Sequence, residues 1–264
     1  MQFDKLDSEE LNTKIMTYLK IVVQLEKGLP PNEVVPKLRG TVEEFRQIYP
    51  TIVDLRNQSL KPRHWERIQD VIGKVVVKDE TFTLGKLQEL NVFQFKDDIS
   101  TISAQASSEA ALEEMLSKVV KSWADLEFTI LPYRDYKDVF ILGGVDEIGT
   151  ILEDSQVTIA TIRGSRFMGP IKSDVEKWDK QLTLFSETLD EWITCQRNWL
   201  YLESIFSAPD IQRQLPDESK MFSQVDRSWK DIMRKTARNP LAIKAGTTPG
   251  FLESLQQNNQ LLEK

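Results

Sequence analysis

The residues of this chain best suited to chemistry are one histidine, one cysteine and several adjacent carboxylates. A zinc site or a Ser-His-Asp triad would hang on His64 alone, and each needs further groups fixed around it. His64 stands in KPRHWER, in the first turn of a short helical pattern beside Trp65, so packing or capping is the plainer reading. Cys195 lies between Trp192 and Trp199 in mid-helix, where a free thiol behaves as a small apolar side chain. Asp97-Asp98, Glu113-Glu114 and Asp217-Glu218 pair carboxylates, but adjacent acids on helices serve mostly as solvated faces and first-turn signals. Phosphate binding through a Gly-rich loop needs G-x-x-x-x-G-K-[ST], whose backbone amides cradle the ligand. Gly73-Lys74 and Gly85-Lys86 lack both the upstream glycine and the following Ser or Thr. No G-x-G-x-x-G occurs, and Gly143-Gly144 reads as the end of a hairpin strand. No residue is therefore expected to be catalytic, cofactor-binding or metal-ligating.

The elements that would position such groups are helical. Asp7 and Glu10 form a D-x-x-E capping box, after which Leu11, Ile15, Tyr18, Leu19 and Val22 share one face until Gly28 and Pro30-Pro31. A second helix, capped by Asn32, carries Val35, Leu38, Val42, Phe45 and Ile48 and is expected to end at Pro50, with Pro36 tolerated in its first turn. A third begins at Pro62, buries Trp65, Ile68 and Ile72, and stops before Gly73. VVVKDETFTL (75–84) is β-branched and reads as extended. A helix over about 95–127 follows, with a change of phase near Ser107-Ser108 that predicts a bend. The period then switches: FTILPYRDYKDVFILGG (128–144) predicts a β-hairpin whose first strand is an edge or ends at Pro132. Helices return over 145–162, over about 171–206 and from Pro216 to 239, the last two separated by a turn DIQRQLP. AIKAGTTPG (242–250) reads as a flexible break, and FLESLQQNNQLLEK as a helix without a stop signal, which predicts a piece of a longer protein.

Composition narrows the function classes. The chain of 264 residues can hold one large or two ordinary domains, and a net charge of −7 gives no global field for a polyphosphate backbone. Protein is the expected partner, with neither nucleic acid nor membrane. A single cysteine excludes an internal disulfide framework and fits a reducing compartment. No apolar run approaches the roughly 20 residues of a membrane span, and the acidic N-terminus resembles no targeting peptide. Asn57-Gln58-Ser59 matches a glycosylation sequon, most simply by chance.

Trp178, Phe185, Trp192, Trp199 and Phe206 recur every seventh residue. Seven residues fall about 20° short of two helical turns, so these rings stay on one slowly drifting face, which Leu182 and Leu189 widen. A cofactor box would need converging polar groups, whereas Lys180, Glu187, Asp190, Glu191 and Arg197 form a solvated face. The seam of a long packed helix is the expectation.

Several tracts then resemble a known family. LKPRHWERI (60–68), VFQFKDDIS (92–100), ILGGVDEI (141–148), RGSRFMGP (163–170) and, most specifically, WLYLESIFSAPDIQRQLPDESKMFSQVDRSWKDIM (199–233) are similar to the linker region of dynein heavy chains. The resemblance covers most of the chain, less closely in the first sixty residues and after Pro240. Its signature positions here are His64, Trp65, Trp199, Tyr201, Leu202, Glu203, Ile205, Phe206, Asp210, Ile211, Leu215, Pro216, Phe222, Val225, Asp226 and Trp229. FQFK, the LP-Y hairpin and the RGS-F loop look more like axonemal than cytoplasmic dyneins, which implies a cytoskeletal location in a cilium or flagellum.

The resemblance implies a mainly α fold, an elongated multi-helix bundle or arm with a small β-hairpin around 128–144. It divides as an N-terminal helical part (1–90), a long-helix part with the hairpin (91–240) and the start of a further helical part (241–264). It implies a lever lying across a ring of AAA+ modules of the same heavy chain and bending with that ring's nucleotide state. ATP and magnesium would belong to the ring, other dynein subunits would be partners in the full complex, and this piece would not touch the microtubule. Breaks at 163–170, 207–216 and 239–250 are candidate bending points, with Gly246, Pro249 and Gly250 the first choice. A non-catalytic helical scaffold for cytoskeletal proteins and an enzyme with an unrecognised site remain the alternatives.

Overall fold

Asp7 opens the first helix, its Oδ1 accepting from the amides of Glu9 and Glu10 at 2.9 and 3.1 Å. Glu10 pairs forward with Lys14 at 2.7 Å, so the cap is one-sided where a reciprocal box is expected. A computed structural model describes residues 2–264. Among them the chain forms two compact units, divided between Ala111 and Leu112.

In the first unit, α1 (Ser8–Gly28) and α2 (Val34–Leu55) pack Ile15, Val22, Val35 and Val42 between them. Asn32 Oδ1 accepts from the amides of Val34 and Val35, as its capping role predicts. The expected stop at Pro50 is wrong: α2 runs five residues further, to Leu55. Ile52 and Leu55 are 0% and 3% exposed. Burial of such side chains contributes roughly 1.5–3 kcal/mol each, which offsets the ~3 kcal/mol cost of an interior proline. α3 (Pro62–Ile72) has Pro62 in its first turn and ends at Gly73, whose φ of 66° is the left-handed cap expected there.

The predicted extended piece at 75–84 forms no strand. Val75 and Val77 stay exposed while Val76 donates its amide to Gln69 Oε1, and Thr83 caps α4 (Leu84–Glu89). A strand needs a partner, and among the described residues the only sheet is the hairpin of residues 130–142. Phe82, Trp65, Ile68, Leu87, Val92 and Ile99 belong to the core of this unit. α5 (Lys96–Ala124) is an unbroken helix through Ser107-Ser108. The Ser108 hydroxyl bonds back to the Ala104 carbonyl, so the serines stay in register with the helix.

In the second unit the hairpin forms as predicted. β1 (Ile130–Pro132) pairs antiparallel with β2 (Phe140–Leu142), in the register Ile130–Leu142, and Pro132 is the last residue of its strand. α6 (Asp146–Arg163) precedes α7 (Lys172–Phe206), a helix of 35 residues. The expected turn at 210–216 is instead a short helix, α8 (Pro209–Gln214), with proline at its first position. α9 (Pro216–Arg238) follows. The supposed flexible break contains α10 (Ala242–Gly246), and the chain continues into α11 (Phe251–Leu262).

Phe185, Trp192 and Trp199 of the seven-spaced aromatics are core, and four of the five pack against other rings. Phe185 lies edge-on to Trp123 at 4.8 Å, Trp192 to Phe251 at 4.8 Å, and Trp199 stacks on Trp229 at 5.6 Å. Phe206 is half-buried against Phe222 at 5.2 Å, and Trp178 is half-buried at the other end. Two adjacent buried asparagines fix α11: Asn258 donates to Ser228 on α9, and Asn259 to the Glu191 backbone and side chain on α7.

Candidate functional site

A polar constellation of the second unit sits where the hairpin meets α7 and α9. Tyr133, just past β1, donates its hydroxyl to Glu203 Oε2 at 2.8 Å, and Arg134 approaches the same oxygen at 3.4 Å. Arg134 has a φ of 50°, and its guanidinium lies over the Tyr133 ring at 4.9 Å. One turn before Glu203, Trp199 Nε1 donates to Asp226 Oδ1 at 3.1 Å, and Lys230 holds the other Asp226 oxygen at 2.7 Å. The Tyr133 ring stands edge-on to Trp199 at 5.1 Å. Burial, then the hydrogen bond and charge of Glu203, push the Tyr133 hydroxyl above its ordinary value and keep it a donor.

The hairpin is held on its other side by a side chain imitating a strand. Gln196 Oε1 accepts from the Leu142 amide at 2.7 Å, and its Nε2 donates to the Leu142 carbonyl at 3.0 Å. These two bonds satisfy an edge position that a two-stranded sheet would leave open. Further backbone bonds, Phe128 N to Pro240 O and Ala242 N to Leu126 O, both 2.8 Å, tie the hairpin's entry to the start of α10.

The signature residues divide by location. Trp199, Glu203, Asp226 and Trp229 converge in this clamp, and Val225 is buried beside them on α9. Leu202, Ile205, Ile211 and Phe222 are half-buried; Asp210 pairs with Arg213 at 2.7 Å, and Pro216 is exposed at the start of α9. Tyr201 and Leu215 face solvent, at 70% and 42% exposure. Gly246 is buried: a Cβ there would lie 2.3 Å from Phe185 Cδ2. Pro249 and Gly250 are exposed, and Gly250 has a φ of 78°. Reasoning from the sequence missed Tyr133, Arg134 and Gln196, because their partners lie across 54 to 70 residues and no local pattern marks them.

His64 and Trp65 belong to the first unit. His64 is 1% exposed and caps α3: its Nδ1 accepts from the Lys61 amide at 2.9 Å. Its Nε2 lies 2.9 Å from Glu109 Oε2 on α5, the oxygen that Arg63 also binds. Burial pushes the Glu109 carboxyl up, but hydrogen bonds from Arg63, Gln105 and His64 outweigh this and hold it below its ordinary value. Asp79 and Asp231 are also held low, by hydrogen bonds from Thr81 and from Lys235 respectively. Carboxylates held ionised in this way serve as anchors and are poorly placed to donate protons near neutrality.

The phosphate candidates go elsewhere. Gly73 closes α3, Lys74 reaches the Leu90 carbonyl at 3.4 Å, and Lys86 pairs with Glu89 at 3.3 Å. Cys195 is fully buried. The Asn57 amide of the sequon donates to Ser103 and Ser107 of α5, so it is engaged in the fold. Among the described residues no cluster of three metal-ligating side chains occurs, and no helix is long and apolar enough to cross a membrane.

Comparison with known proteins agrees with the signature tract. Residues 1–264 match the family described as "Dynein heavy chain, N-terminal region 2". The chain is 57% identical to human "Dynein axonemal heavy chain 6" over 264 residues, which is all of this chain and 6% of that protein. It is 38% identical to human "Dynein axonemal heavy chain 12" over 263 residues, 98% of this chain and 8% of the relative. Human "Dynein axonemal heavy chain 2" is 38% identical over 261 residues, again 98% of this chain and 6% of the relative. The chain thus spans less than a tenth of the length of these relatives.

Proposed function

Because the chain belongs to the dynein heavy-chain family and matches its N-terminal region 2 throughout, we propose that it is the linker of an axonemal motor, a lever that bends and straightens with the nucleotide cycle of an AAA+ ring. The observation that carries this reading is the clamped rod. α7 has 35 residues, hence a length of roughly 50 Å at 1.5 Å per residue. Its C-terminal half is gripped by the hairpin through Glu203 and Gln196, by α9 through Trp199–Asp226, and by α11 through Glu191–Asn259. A lever transmits force only through parts that resist bending, and long-range hydrogen bonds between packed elements supply that resistance.

In this proposal the ring of the same heavy chain is the principal partner, and other subunits assemble around the full motor. ATP and magnesium bind the ring, so this piece is neither the ATPase nor the microtubule-binding element. The location is the axoneme of a cilium or flagellum. The bending point falls between rigid parts, and the 239–250 segment is its first candidate.

The test separates mechanics from chemistry. In the full-length heavy chain, Glu203→Ala removes the acceptor shared by Tyr133 and Arg134. Microtubule gliding should slow several-fold while basal ATP turnover stays near the parent value. Unchanged gliding, or an equal fall of both rates, would reject the lever role. Calorimetric titration of residues 1–264 with Mg-ATP should give no saturable heat, and micromolar binding would place nucleotide chemistry in this piece after all.

A further inference from the structure

Thr248 is the only serine or threonine that precedes any of the eleven prolines of this chain. It opens the turn Thr248–Pro249–Gly250–Phe251, which the Phe251 amide closes on the Thr248 carbonyl at 3.1 Å. Proline at the second position and Gly250 at φ 78°, ψ −2° make this a type II turn. Thr248, Pro249 and Gly250 are all exposed. The turn projects beside an open groove of about 430 Å³ between α9 and the α10–α11 connection. Lys235 and Lys244 stand on the groove walls, and Ile232, Ala245 and Phe251 also line it. The single carboxylate among its lining residues, Asp231, is paired with Lys235 at 2.7 Å.

The hydroxyl of Thr248 already has a structural task. It donates to the Lys244 carbonyl at 2.8 Å, as Thr247 does to Ile243, and together they close the last turn of α10. α10 is otherwise fixed at its start, where Ala242 is bonded to Leu126, and at Gly246, which packs against Phe185. A change at Thr248 therefore acts on one end of a short helix whose other contacts stay in place.

We propose that Thr248 is a phosphorylation site for a proline-directed protein kinase, and that its phosphate loosens α10 by removing the bond to Lys244. Thr248 Oγ1 attacks the γ-phosphorus of a nucleoside triphosphate. The new O–P bond forms as the bond to the β-phosphate oxygen breaks, the hydroxyl proton passes to the kinase base, and a nucleoside diphosphate leaves. The esterified oxygen then has no hydrogen to donate. The added group carries about −1.5 to −2 charges at neutral pH and enters a groove whose walls already offer Lys235 and Lys244. The mechanical consequence, easier bending at 242–250, rests on the lever reading above; the site itself does not.

The full-length heavy chain is incubated with a proline-directed kinase and Mg-ATP, and its peptides are mapped by mass spectrometry. Phosphate is expected on Thr248, and Pro249→Ala should abolish it while leaving the threonine in place. Absence of phosphate from the folded chain, with labelling after heat unfolding, would overturn the site. Undiminished labelling of the Pro249→Ala chain would overturn its proline-directed character. Amide exchange across residues 242–248 should rise about fivefold on phosphorylation, the change that one lost hydrogen bond produces in a local opening equilibrium. Thr248→Val, which loses the same donor without adding charge, should show a similar rise, and Thr248→Ser should not. Unchanged exchange in the phosphorylated chain would overturn the loosening. If labelling and exchange behave as expected but gliding velocity does not change, the site stands and the placing of the bending point at 239–250 falls.

Discussion

Tyr133 and Glu203 lie 70 residues apart in sequence and 2.8 Å apart in the fold, a phenol donating to a carboxylate. The bond joins the hairpin to the last turns of α7, and Arg134 supplies a second, more exposed contact to the same oxygen. Tyr133→Phe keeps the ring against Trp199 but leaves Glu203, only 9% exposed, short of a donor. Urea unfolding should show a loss of about 1–3 kcal/mol, the usual cost of an unsatisfied buried partner. The pH dependence has a definite sign. The native hydroxyl keeps its proton above the ordinary value of 10.0, whereas the unfolded one releases it there. The contribution is complete below pH 10 and is lost as the pH rises through the native value. Stability of the parent should therefore fall faster above pH 10 than that of Tyr133→Phe.

Cys195 gives a second alkaline signature. Burial, then the charge of Glu191, push its thiol from 9.0 up to about 12. The unfolded chain loses this proton near pH 9, so the native state becomes progressively disfavoured between pH 9 and 12. Each pH unit in that window removes about 1.4 kcal/mol. Cys195→Ala should flatten this slope while costing some packing at neutral pH. Thiol reagents at pH 8 should leave the folded chain unmodified, and rapid labelling under native conditions would contradict the burial.

Three glycines that look alike in sequence should respond differently to alanine. Gly40 lies on an exposed face of α2 with nothing within 4 Å of an added Cβ, so Gly40→Ala should stabilise by about 0.5–1 kcal/mol. Gly246→Ala places a methyl 2.3 Å from Phe185 Cδ2 and should cost about 1–3 kcal/mol through overpacking. Gly250→Ala meets open space but a φ of 78°, which costs roughly 1–2 kcal/mol for an L-residue. Denaturation midpoints of the three variants check this order. The glycines of the candidate bending segment thus have packing and turn duties of their own. A motility defect in either variant has to be compared with its stability before it is ascribed to bending.

The sequence displayed what repeats locally. The helices announce themselves by apolar period and caps, the hairpin by its switch of period, and the aromatic seam by its interval of seven. What was not legible depends on partners far along the chain. Pro50 reads as a stop until the burial of Ile52 and Leu55 is known, and residues 75–84 read as a strand until no neighbouring strand is found. At the candidate site, Trp199, Glu203, Asp226 and Trp229 stand out through the tract that resembles the dynein linker. Tyr133, Arg134 and Gln196 do not, because the hairpin's docking partner is invisible from its own residues. Glu109 is hidden for the same reason, 45 residues from the histidine it meets.

That histidine carries the last prediction. His64 Nδ1 accepts the Lys61 amide, so a neutral ring must carry its proton on Nε2, where it can donate to Glu109. The tautomer is fixed by two fold contacts, one within α3 and one to α5. Nitrogen NMR of the single histidine should show the neutral ring with its proton on Nε2 and a bare Nδ1. His64→Ala removes both contacts: the cap alone is worth about 0.5–2 kcal/mol, and Glu109 loses a donor as well. His64→Asn, which can still accept from a nearby amide, should recover part of the loss. Glu109→Ala should be at least as damaging as His64→Ala, because it strips Arg63 and His64 of the carboxylate together. Glu109 is held below the ordinary 4.5, so its contribution is present above that value and lost as the pH falls through the lower native one. Acid unfolding of the parent should therefore be steeper below pH 4.5 than that of Glu109→Gln. Equal acid slopes would mean that the carboxylate is not the anchor its contacts describe.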